Sequence, residues 1–359
     1  MKRMKWILSG VAAMAVAASA HAAGGAKTPR APEGGWAFEG MFGKFDDASV
    51  QRGYKVYREV CASCHSMDLV KFRNLGERGG PYYMPEYSPN DNPVVKAFAA
   101  EYTYTEIDDI GDEVDRPGRP ADPFKSPWTS EQQARAANGG AYPPDMSVIV
   151  KARAGGADYI YSLLTGYPED AYDSELRIGD EDQPEKAGTL SQPSGLYYNP
   201  YFAGDTKPNW EGDPRHAPYG GFLAMAPQLS DPDGGQGVDC RAEFNNAIDG
   251  LKADYVDSFD GTPENPKPAS VSVSDLDPAA LESALQEVYG LCFPRVEYFD
   301  GTYPSQDQLA QDVTAFLAWA SEPKQEFRRS AGLSVMLFLL LLATLLWLSY
   351  RRIWRNVEH

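Results

Sequence analysis

Residues 52–65 read RGYKVYREVCASCH, and the prediction of the fold starts from this stretch. Apolar side chains recur every three to four residues up to its cysteines, namely Val50, Tyr54, Tyr57 and Val60. This spacing predicts an amphipathic helix over about 48–60. The helix leads into Cys61-Ala-Ser-Cys64-His65, the Cys-x-x-Cys-His pattern of c-type haem attachment. Two thiols can bond the two vinyl groups of one porphyrin edge, and the histidine that follows can ligate the iron. The sequence therefore predicts one covalently bound haem c.

The cysteine pair has two other interpretations, half of a zinc site or a redox-active dithiol. A structural zinc site normally has four ligands. Outside the terminal segments, the other soft ligands are His216, Cys240 and Cys292, and they form no second closely spaced pair. A redox dithiol normally belongs to a βαβ unit, which this sequence does not predict. Haem attachment is therefore the favoured interpretation.

Iron bound by His65 needs a second axial ligand. Of the other histidines, His21 and His359 lie in the terminal segments, so ligation by two histidines would require His216. Met225 lies in the proline-containing loop FLAMAP, well downstream of the motif. A methionine ligand would raise the reduction potential, but a methionine can equally fill a gap in a core. The residues alone leave both interpretations of Met225 open.

The N-terminus carries an export signal. Three basic residues precede a short alanine-rich apolar stretch that ends in Ala20-His-Ala22. This arrangement is typical of a secretory signal peptide, predicted here over 1–22. Export would deliver the chain to the periplasm, where haem is attached to such motifs in bacteria.

The C-terminus carries a membrane signal. Residues 331–350 contain no charge and are rich in leucine. Twenty residues at 1.5 Å each span about 30 Å, which is the thickness of a bilayer core. We therefore expect a haem domain over 23–327 in the periplasm, a single-pass anchor over 328–350 in the inner membrane and a cytoplasmic tail over 351–359.

The charge balance limits the possible partners. The chain has 33 Lys and Arg against 51 Asp and Glu, a net charge of −18. This excess of acid disfavours nucleic acid as a partner. Acidic residues concentrate at 106–115 and 169–185. Both runs are consistent with solvated loops, and also with long-range attraction of a basic partner.

Four stretches, taken together, resemble a known family. They are RGYKVYREVCASCHSMDLVKFRNL at 52–75, ARAANGGAYPPDMSVIVKARAGGADYIYSLLTGY at 134–167, YYNPYF at 197–202 with AMAPQL at 224–229, and YFDGTYPSQDQLAQDVTAFLAWASEPKQEFRRSAGL at 298–333. In their content and order they resemble cytochrome c1, the haem subunit of the quinol:cytochrome c oxidoreductase. The resemblance implies a mainly α c-type cytochrome domain with long loops, plus one C-terminal transmembrane helix.

The resemblance also implies roles for individual residues. Met225 would be the sixth iron ligand opposite His65. Arg153 and Tyr159 match positions that contact a haem propionate, which suits a guanidinium beside a carboxylate. Asn138 and Pro144 match the loop that lines the haem pocket. No side chain of this subunit would be catalytic, because the iron itself carries the electron.

As a family member, the chain would transfer one electron from the Rieske iron–sulfur protein to a soluble or anchored cytochrome c, in a respiratory or photosynthetic chain. Its other partners would be cytochrome b and membrane lipid, within a dimeric complex that acts as a translocating quinol:cytochrome c oxidoreductase. The alternative is a membrane-anchored monohaem cytochrome of another oxidase or dehydrogenase complex.

Two segments depart from the family pattern. The loop 203–221, which contains His216, separates YNPYF from the methionine. A larger insertion over about 229–295 contains Cys240 and Cys292, which we expect to form a disulfide in an oxidising compartment. Within it, Asp277 and Pro278 predict the start of a helix over 278–291. Further helices are predicted at 130–137, 147–154, 157–165 and 305–321, the last with a Ser305–Gln308 capping box, and strand signals are few.

Overall fold

A computed structural model describes residues 25–355, except 181–182, 230–239, 260–261, 263–266, 269, 282–295, 297 and 299. The predicted signal peptide at 1–22 lies outside the described residues, as do Cys292, most of the helix predicted at 278–291 and the end of the tail. The Cys240–Cys292 disulfide therefore stays a prediction.

Helices make up more of the fold than strands do. They are α1 (Asp47–Glu59), α2 (Phe72–Gly76), α3 (Pro93–Ala100), α4 (Glu131–Ala137), α5 (Ile149–Ala152), α6 (Gly156–Thr165), α7 (Cys240–Asp257), α8 (Gln306–Ser321) and α9 (Gln325–Trp354).

The strands form three small antiparallel sheets. They are β1 (Thr103–Ile107), β2 (Glu113–Pro117), β3 (Glu175–Asp180), β4 (Gln183–Ser191), β5 (Tyr197–Asn199), β6 (Trp210–Glu211) and β7 (Gly221–Leu223). β1 pairs with β2, β4 lies between β3 and β6, and β5 pairs with β7. Helix accounts for about 42% of the structure and strand for about 11%, so the mainly α prediction holds only loosely.

The predicted helices at 48–60, 130–137, 157–165 and 305–321 are present to within a residue or two. The helix predicted at 147–154 is shorter, because α5 stops at Ala152. Arg153 is extended, and Gly155 adopts a left-handed φ of 90° that begins α6 as a separate helix. In the 229–295 segment, Asp277 accepts hydrogen bonds from the amides of Ala279 and Ala280, as expected of a helix N-cap.

The core centres on the crossing of α1 and α8. Gly53 lies at the crossing, where an added Cβ would stand 1.9 Å from the Asp312 carbonyl oxygen and 2.8 Å from Cβ of Phe316. Tyr54 and Tyr57, on the buried face of α1, pack against the Phe316 ring at centroid distances of 5.6 and 5.5 Å. Glycine is required here because only its hydrogen lets the two backbones approach so closely.

A buried ion pair ties the same two helices together. Asp312 is fully buried, and its carboxylate accepts hydrogen bonds from Nε of Arg52 at 2.8 Å and from Oγ of Ser49 at 2.6 Å. Arg52 also donates to Asp300 at 2.8 Å. The carboxylate is thus paired and hydrogen-bonded, which buried charges require.

Of the two hydrogen bonds in the expected capping box of α8, only one forms. Ser305 Oγ accepts from the Gln308 amide at 3.1 Å, as predicted. The Gln308 side chain does not return to the cap; its Nε2 donates to Asp312 at 3.0 Å instead. The Ser305 amide, which the second half of the box would use as donor, bonds to the Tyr303 carbonyl at 3.0 Å.

The C-terminal helix α9 is a 30-residue helix long and apolar enough to cross a membrane, with a mean hydropathy of 2.4 in its most apolar window. It begins at Gln325 rather than at 328, and it continues through Trp354. Its apolar side chains from Leu333 onward are exposed. Such a surface is typical of a helix whose solvent is lipid.

Replacing Asp312 by Ala should lower the free energy of unfolding by about 3–5 kcal/mol, because it leaves the half-buried Arg52 without its main partner. Chemical denaturation of the purified protein measures this change. Asp91→Ala removes the exposed pair of Asp91 with Lys96 and serves as the control, with little change expected. Equal effects of the two substitutions would contradict the structural role of the buried pair.

Candidate haem centre

The Cys-x-x-Cys-His motif lies in a tight turn directly after α1. Residues 61–63 form a single 3₁₀ turn, and the amides of Cys64 and His65 both donate to the Cys61 carbonyl, at 3.1 and 2.9 Å. Both cysteines are free and half-buried. Burial, with a smaller effect of the neighbouring Cys64, raises the pKa of Cys61 to about 12, so this thiol is protonated at neutral pH. The motif thus offers two separate thiols next to an imidazole.

The orientation of the His65 ring is set by the loop at 144. Nδ1 of His65 lies 2.9 Å from the Pro144 carbonyl oxygen. A carbonyl can only accept, so Nδ1 carries the proton and Nε2 keeps its lone pair. Burial lowers the pKa of His65, although the bond to Pro144 and the charge of Asp145 oppose the shift. A neutral imidazole with a free Nε2 is the form that binds iron.

Asp145 fastens the 144–147 segment to the residues that follow the motif. Its Oδ2 accepts from Ser66 Oγ and from the Asp68 amide, both at 2.8 Å. Its Oδ1 accepts from the Ser147 amide at 2.8 Å, and the Met146 amide donates to the Ser66 carbonyl at 2.8 Å. Although burial opposes it, these hydrogen bonds hold the pKa of Asp145 below its usual value. The carboxylate therefore keeps Pro144 in position beside His65.

Two aromatic side chains hold the backbone of the motif from other elements. Nε1 of Trp128 donates to the Cys64 carbonyl at 2.7 Å, and Oη of Tyr57 donates to the His65 carbonyl at 3.2 Å. The sequence pattern places Tyr57 only on a helix face, and it predicts no role for Trp128 or Asp145. The quoted PPDM stretch contained Asp145, but nothing in the sequence pairs Trp128 with a residue 64 positions away.

Met225 follows β7 and is held by the end of α6. Oη of Tyr167 donates to the Met225 carbonyl at 2.7 Å. The side chain is half-buried and packs against a small buried cluster of Tyr167, Ala171 and Leu223.

The loop 203–221 connects two paired strands. β5 pairs with β7, with Tyr197 opposite Leu223 and Asn199 opposite Gly221, so the loop leaves and returns at the same place. Asn199 is fully buried and its Nδ2 donates to the Leu163 carbonyl at 2.8 Å, which joins the pair to α6. His216 lies in a 3₁₀ turn within the loop, and its Nδ1 is buried without a hydrogen-bond partner. Its role as a ligand is untested.

Arg153 and Tyr159 lie near each other at the junction of α5 and α6. The side chain of Tyr159 is half-buried; burial raises its pKa, and the positive charge of Arg153 opposes that shift. Arg153 itself is exposed at the end of α5. Tyr159 in turn lies close enough to Tyr167 to contribute, after burial and Tyr172, to that residue's raised pKa. Tyr167 is the residue that bonds the Met225 carbonyl. The contact of Arg153 and Tyr159 with a haem propionate stays a prediction.

Asn138 has a local structural role. Its backbone N–H donates to the Ala134 and Arg135 carbonyls, and its Nδ2 donates to the Ala134 carbonyl at 2.7 Å. It therefore caps the C-terminus of α4 at the start of the loop that ends in Pro144. Its predicted place in the pocket wall is not tested by these contacts.

The candidate donor set is mixed. It consists of two free thiols, a neutral imidazole with Nε2 available, and a half-buried thioether. Among the residues that the structure describes, no group of three or more His, Cys, Asp or Glu side chains could hold a metal ion.

Comparison with known proteins agrees with the family resemblance of the sequence. A family model described as the Cytochrome C1 family matches residues 36–254 and 253–357. Cytochrome c1 of Rhodospirillum rubrum is 34% identical over 97% of this chain and 97% of its own length. Cytochrome c1 of Cereibacter sphaeroides is 31% identical over 99% of this chain and 96% of its own.

A longer relative also matches. The cytochrome b/c1 protein of Bradyrhizobium diazoefficiens is 35% identical over 97% of this chain, which spans 40% of that protein's length. The family match and the near-complete relatives agree with the resemblance carried by the four quoted stretches. The chain belongs to the cytochrome c1 family.

Proposed function

We propose that this chain carries one covalent haem c and transfers single electrons as the cytochrome c1 subunit of a b-c1 complex. Cys61 and Cys64 would hold the porphyrin, and His65 and Met225 would ligate the iron. The observation that carries the proposal is the 2.9 Å bond from His65 Nδ1 to the Pro144 carbonyl, which leaves Nε2 free. A histidine prepared in this way, one residue after two free thiols, matches what an axial ligand of haem c requires.

When bound, the haem supplies reversible one-electron exchange, and the protein residues set the conditions for it. Pro144, held by Asp145, fixes the imidazole plane. Tyr167 fixes the loop that carries Met225, whose thioether would be the second ligand of the iron. Arg153, exposed and charged, would compensate a propionate. None of these side chains has to transfer a proton, which agrees with an electron carrier rather than an acid–base catalyst.

The proposal includes location and partners. The haem domain would lie in the periplasm, α9 would cross the inner membrane, and the C-terminus would be cytoplasmic. The electron would come from a Rieske iron–sulfur protein and leave to a cytochrome c, with cytochrome b beside the anchor and two copies of the complex associated. Relatives support this assignment, since one from Candida albicans, 36% identical over 86% of this chain, is named a cytochrome b-c1 complex catalytic subunit.

Purification of the full chain from its membranes in mild detergent tests the proposal. We expect a pyridine haemochrome spectrum of one haem c per chain, and cytochrome b and an iron–sulfur protein in the same fraction. A Cys61→Ala, Cys64→Ala variant, exported in the same way, should show no covalent haem. A colourless wild-type protein would refute the haem site, whereas a haem protein that purifies with an oxidase or dehydrogenase would favour the alternative complex.

Replacing Met225 by Leu should lower the midpoint potential by on the order of 0.1 V or more, because the thioether ligand favours ferrous iron. Spectroelectrochemical titration measures the potential. Met84→Leu is the matched control, since Met84 is also half-buried but is not a predicted ligand. His216→Ala should leave the potential unchanged. A shift with His216→Ala but not with Met225→Leu would mean that the ligand is the histidine.

The acidic surface should accelerate encounter with a basic cytochrome c. The tip of the β1–β2 hairpin exposes Asp109, Asp112 and Glu113, while Glu106 is paired with Arg116. We expect the second-order rate of electron transfer to fall roughly ten-fold between low salt and about 0.15 M. Stopped-flow kinetics measures the slope against ionic strength.

The same kinetics can distinguish the effect of the hairpin's acidic residues from the effect of the net charge. Replacing Asp109 and Asp112 by Asn and Glu113 by Gln should flatten the salt dependence. Replacing three acids elsewhere, Glu33, Glu39 and Asp91, changes the net charge equally and should have less effect. A rate that is independent of salt in the wild type would contradict the electrostatic part of the proposal.

A further inference from the structure

A short loop at the base of the haem domain exposes two apolar side chains in succession. The loop comprises residues 39–44, and we call it the foot loop. Met41 and Phe42 at its tip are 69% and 78% exposed. Single exposed apolar residues are normal, but an adjacent methionine and phenylalanine projecting from a polar loop indicate a contact surface.

Backbone and aromatic contacts hold the base of the foot loop in place. The Lys44 amide donates to the Ala37 carbonyl at 3.0 Å and closes the loop. Below it, the Phe38 and Phe45 rings stack at 5.0 Å. Gly43 passes so close to the Glu39 carbonyl that an added Cβ would lie 1.9 Å from its oxygen. The tip is therefore held outward by its own base.

The foot loop is attached to the first turns of α9. Nε2 of Gln325 and Nη1 of Arg329 donate to the Phe38 carbonyl at 2.8 and 2.7 Å. The Phe45 amide donates to the Glu326 carboxylate at 2.8 Å. These three helix residues precede the uncharged stretch, which begins at Ala331, by two to six positions.

This attachment fixes the level of the loop relative to the membrane. At 1.5 Å per residue, the bonded helix residues lie about 3–9 Å above the start of the uncharged stretch. The interfacial layer on each side of a bilayer is about 5–7 Å thick. If α9 crosses the bilayer along the membrane normal, the base of the foot loop would thus lie at the depth of the lipid headgroups, as would Phe327 of α9, which is 71% exposed.

We propose that the foot loop is a second membrane contact, with Met41 and Phe42 inserted into the interfacial layer of the leaflet that α9 enters. The partner is phospholipid, because the residues that flank the loop are hydrogen-bonded to the first turns of the proposed anchor, which would hold the loop at the headgroup level. Lys44, exposed beside the tip, can meet lipid phosphates. This inference rests on the membrane anchoring proposed above, but not on the haem. Two contacts with the bilayer would fix the tilt of the haem domain, which one helix alone would leave free.

Photocrosslinking in native membranes tests the inference. Phe42 is replaced by p-benzoylphenylalanine, which keeps an aromatic ring at an exposed position. After irradiation, mass spectrometry of the peptide 31–44 should show a phospholipid adduct. p-Benzoylphenylalanine in place of Leu340 in α9 is the positive control. In place of Ile110, which is 82% exposed at the tip of the β1–β2 hairpin, it is the control for a surface remote from lipid.

The outcomes are distinct. Lipid adducts at positions 42 and 340, and none at 110, would support the inference. An adduct at 340 but not at 42, or a crosslink from 42 to another protein subunit, would overturn it while leaving the anchor intact. No adduct at 340 would overturn the anchoring and the inference together. If the variant with p-benzoylphenylalanine at position 42 does not accumulate, the same amino acid in place of Met41 tests the loop for a lipid adduct.

Discussion

The crossing of α1 and α8 is the constraint on which the rest of the structure depends. Gly53 allows the two backbones to touch, and the fully buried Asp312 fixes their register through Arg52 and Ser49. The haem motif follows α1 within two residues, and the anchor follows α8 within four. One interface therefore determines where the motif lies relative to the membrane. A carboxylate in this interface tolerates little sliding, because any shift would leave a buried charge unpaired.

The parts of the fold that were predicted from the sequence are those encoded by local patterns. The helical repeat before Cys61 predicts α1, and Ser305 with the apolar repeat after it predicts α8. α3 carried comparable signals in Asn92, whose side chain accepts from the amides of Val94 and Val95, and in Pro93, and these could have been used. The length of α5 could not be obtained in this way, since the extended Arg153 depends on how the glycines after it pack.

The strands were missed for a different physical reason. The β1–β2 hairpin lies in an acidic run, and such a run indicates a solvated loop when it is examined alone. Its half-buried face is stabilised by polar pairing, with Arg116 bonded to Glu106 and Asp122. No alternation of apolar and polar residues is then needed. The pairing of β5 with β7 is likewise invisible in the sequence, because the loop 203–221 separates the strands.

In the candidate site, too, the sequence predicts the residues with a local pattern but not the contacts made by the folded chain. Motif and family resemblance supplied Cys61, Cys64, His65 and Met225, and they supplied Pro144 as a residue of the pocket loop. They could not supply the direction of the Pro144 carbonyl, nor the way Asp145 fastens that loop to Ser66. These are contacts between residues nearly 80 positions apart, and they require the folded chain. Yet they determine the histidine tautomer, so the most decisive chemical feature of the site is the one that depends most on tertiary structure.

The junction between the haem domain and the anchor argues for a rigid attachment. Pro323 and Lys324 separate α8 from α9, where a hinge would be expected. The first turns of α9 are nevertheless bonded to the domain through Gln325, Glu326 and Arg329, and Lys151 pairs with Glu322 at 2.6 Å. Opening this junction would break several hydrogen bonds at once. A haem bound as proposed would stay at a fixed height above the bilayer, so changes in donor or acceptor distance during electron transfer would have to come from motion of the partner proteins.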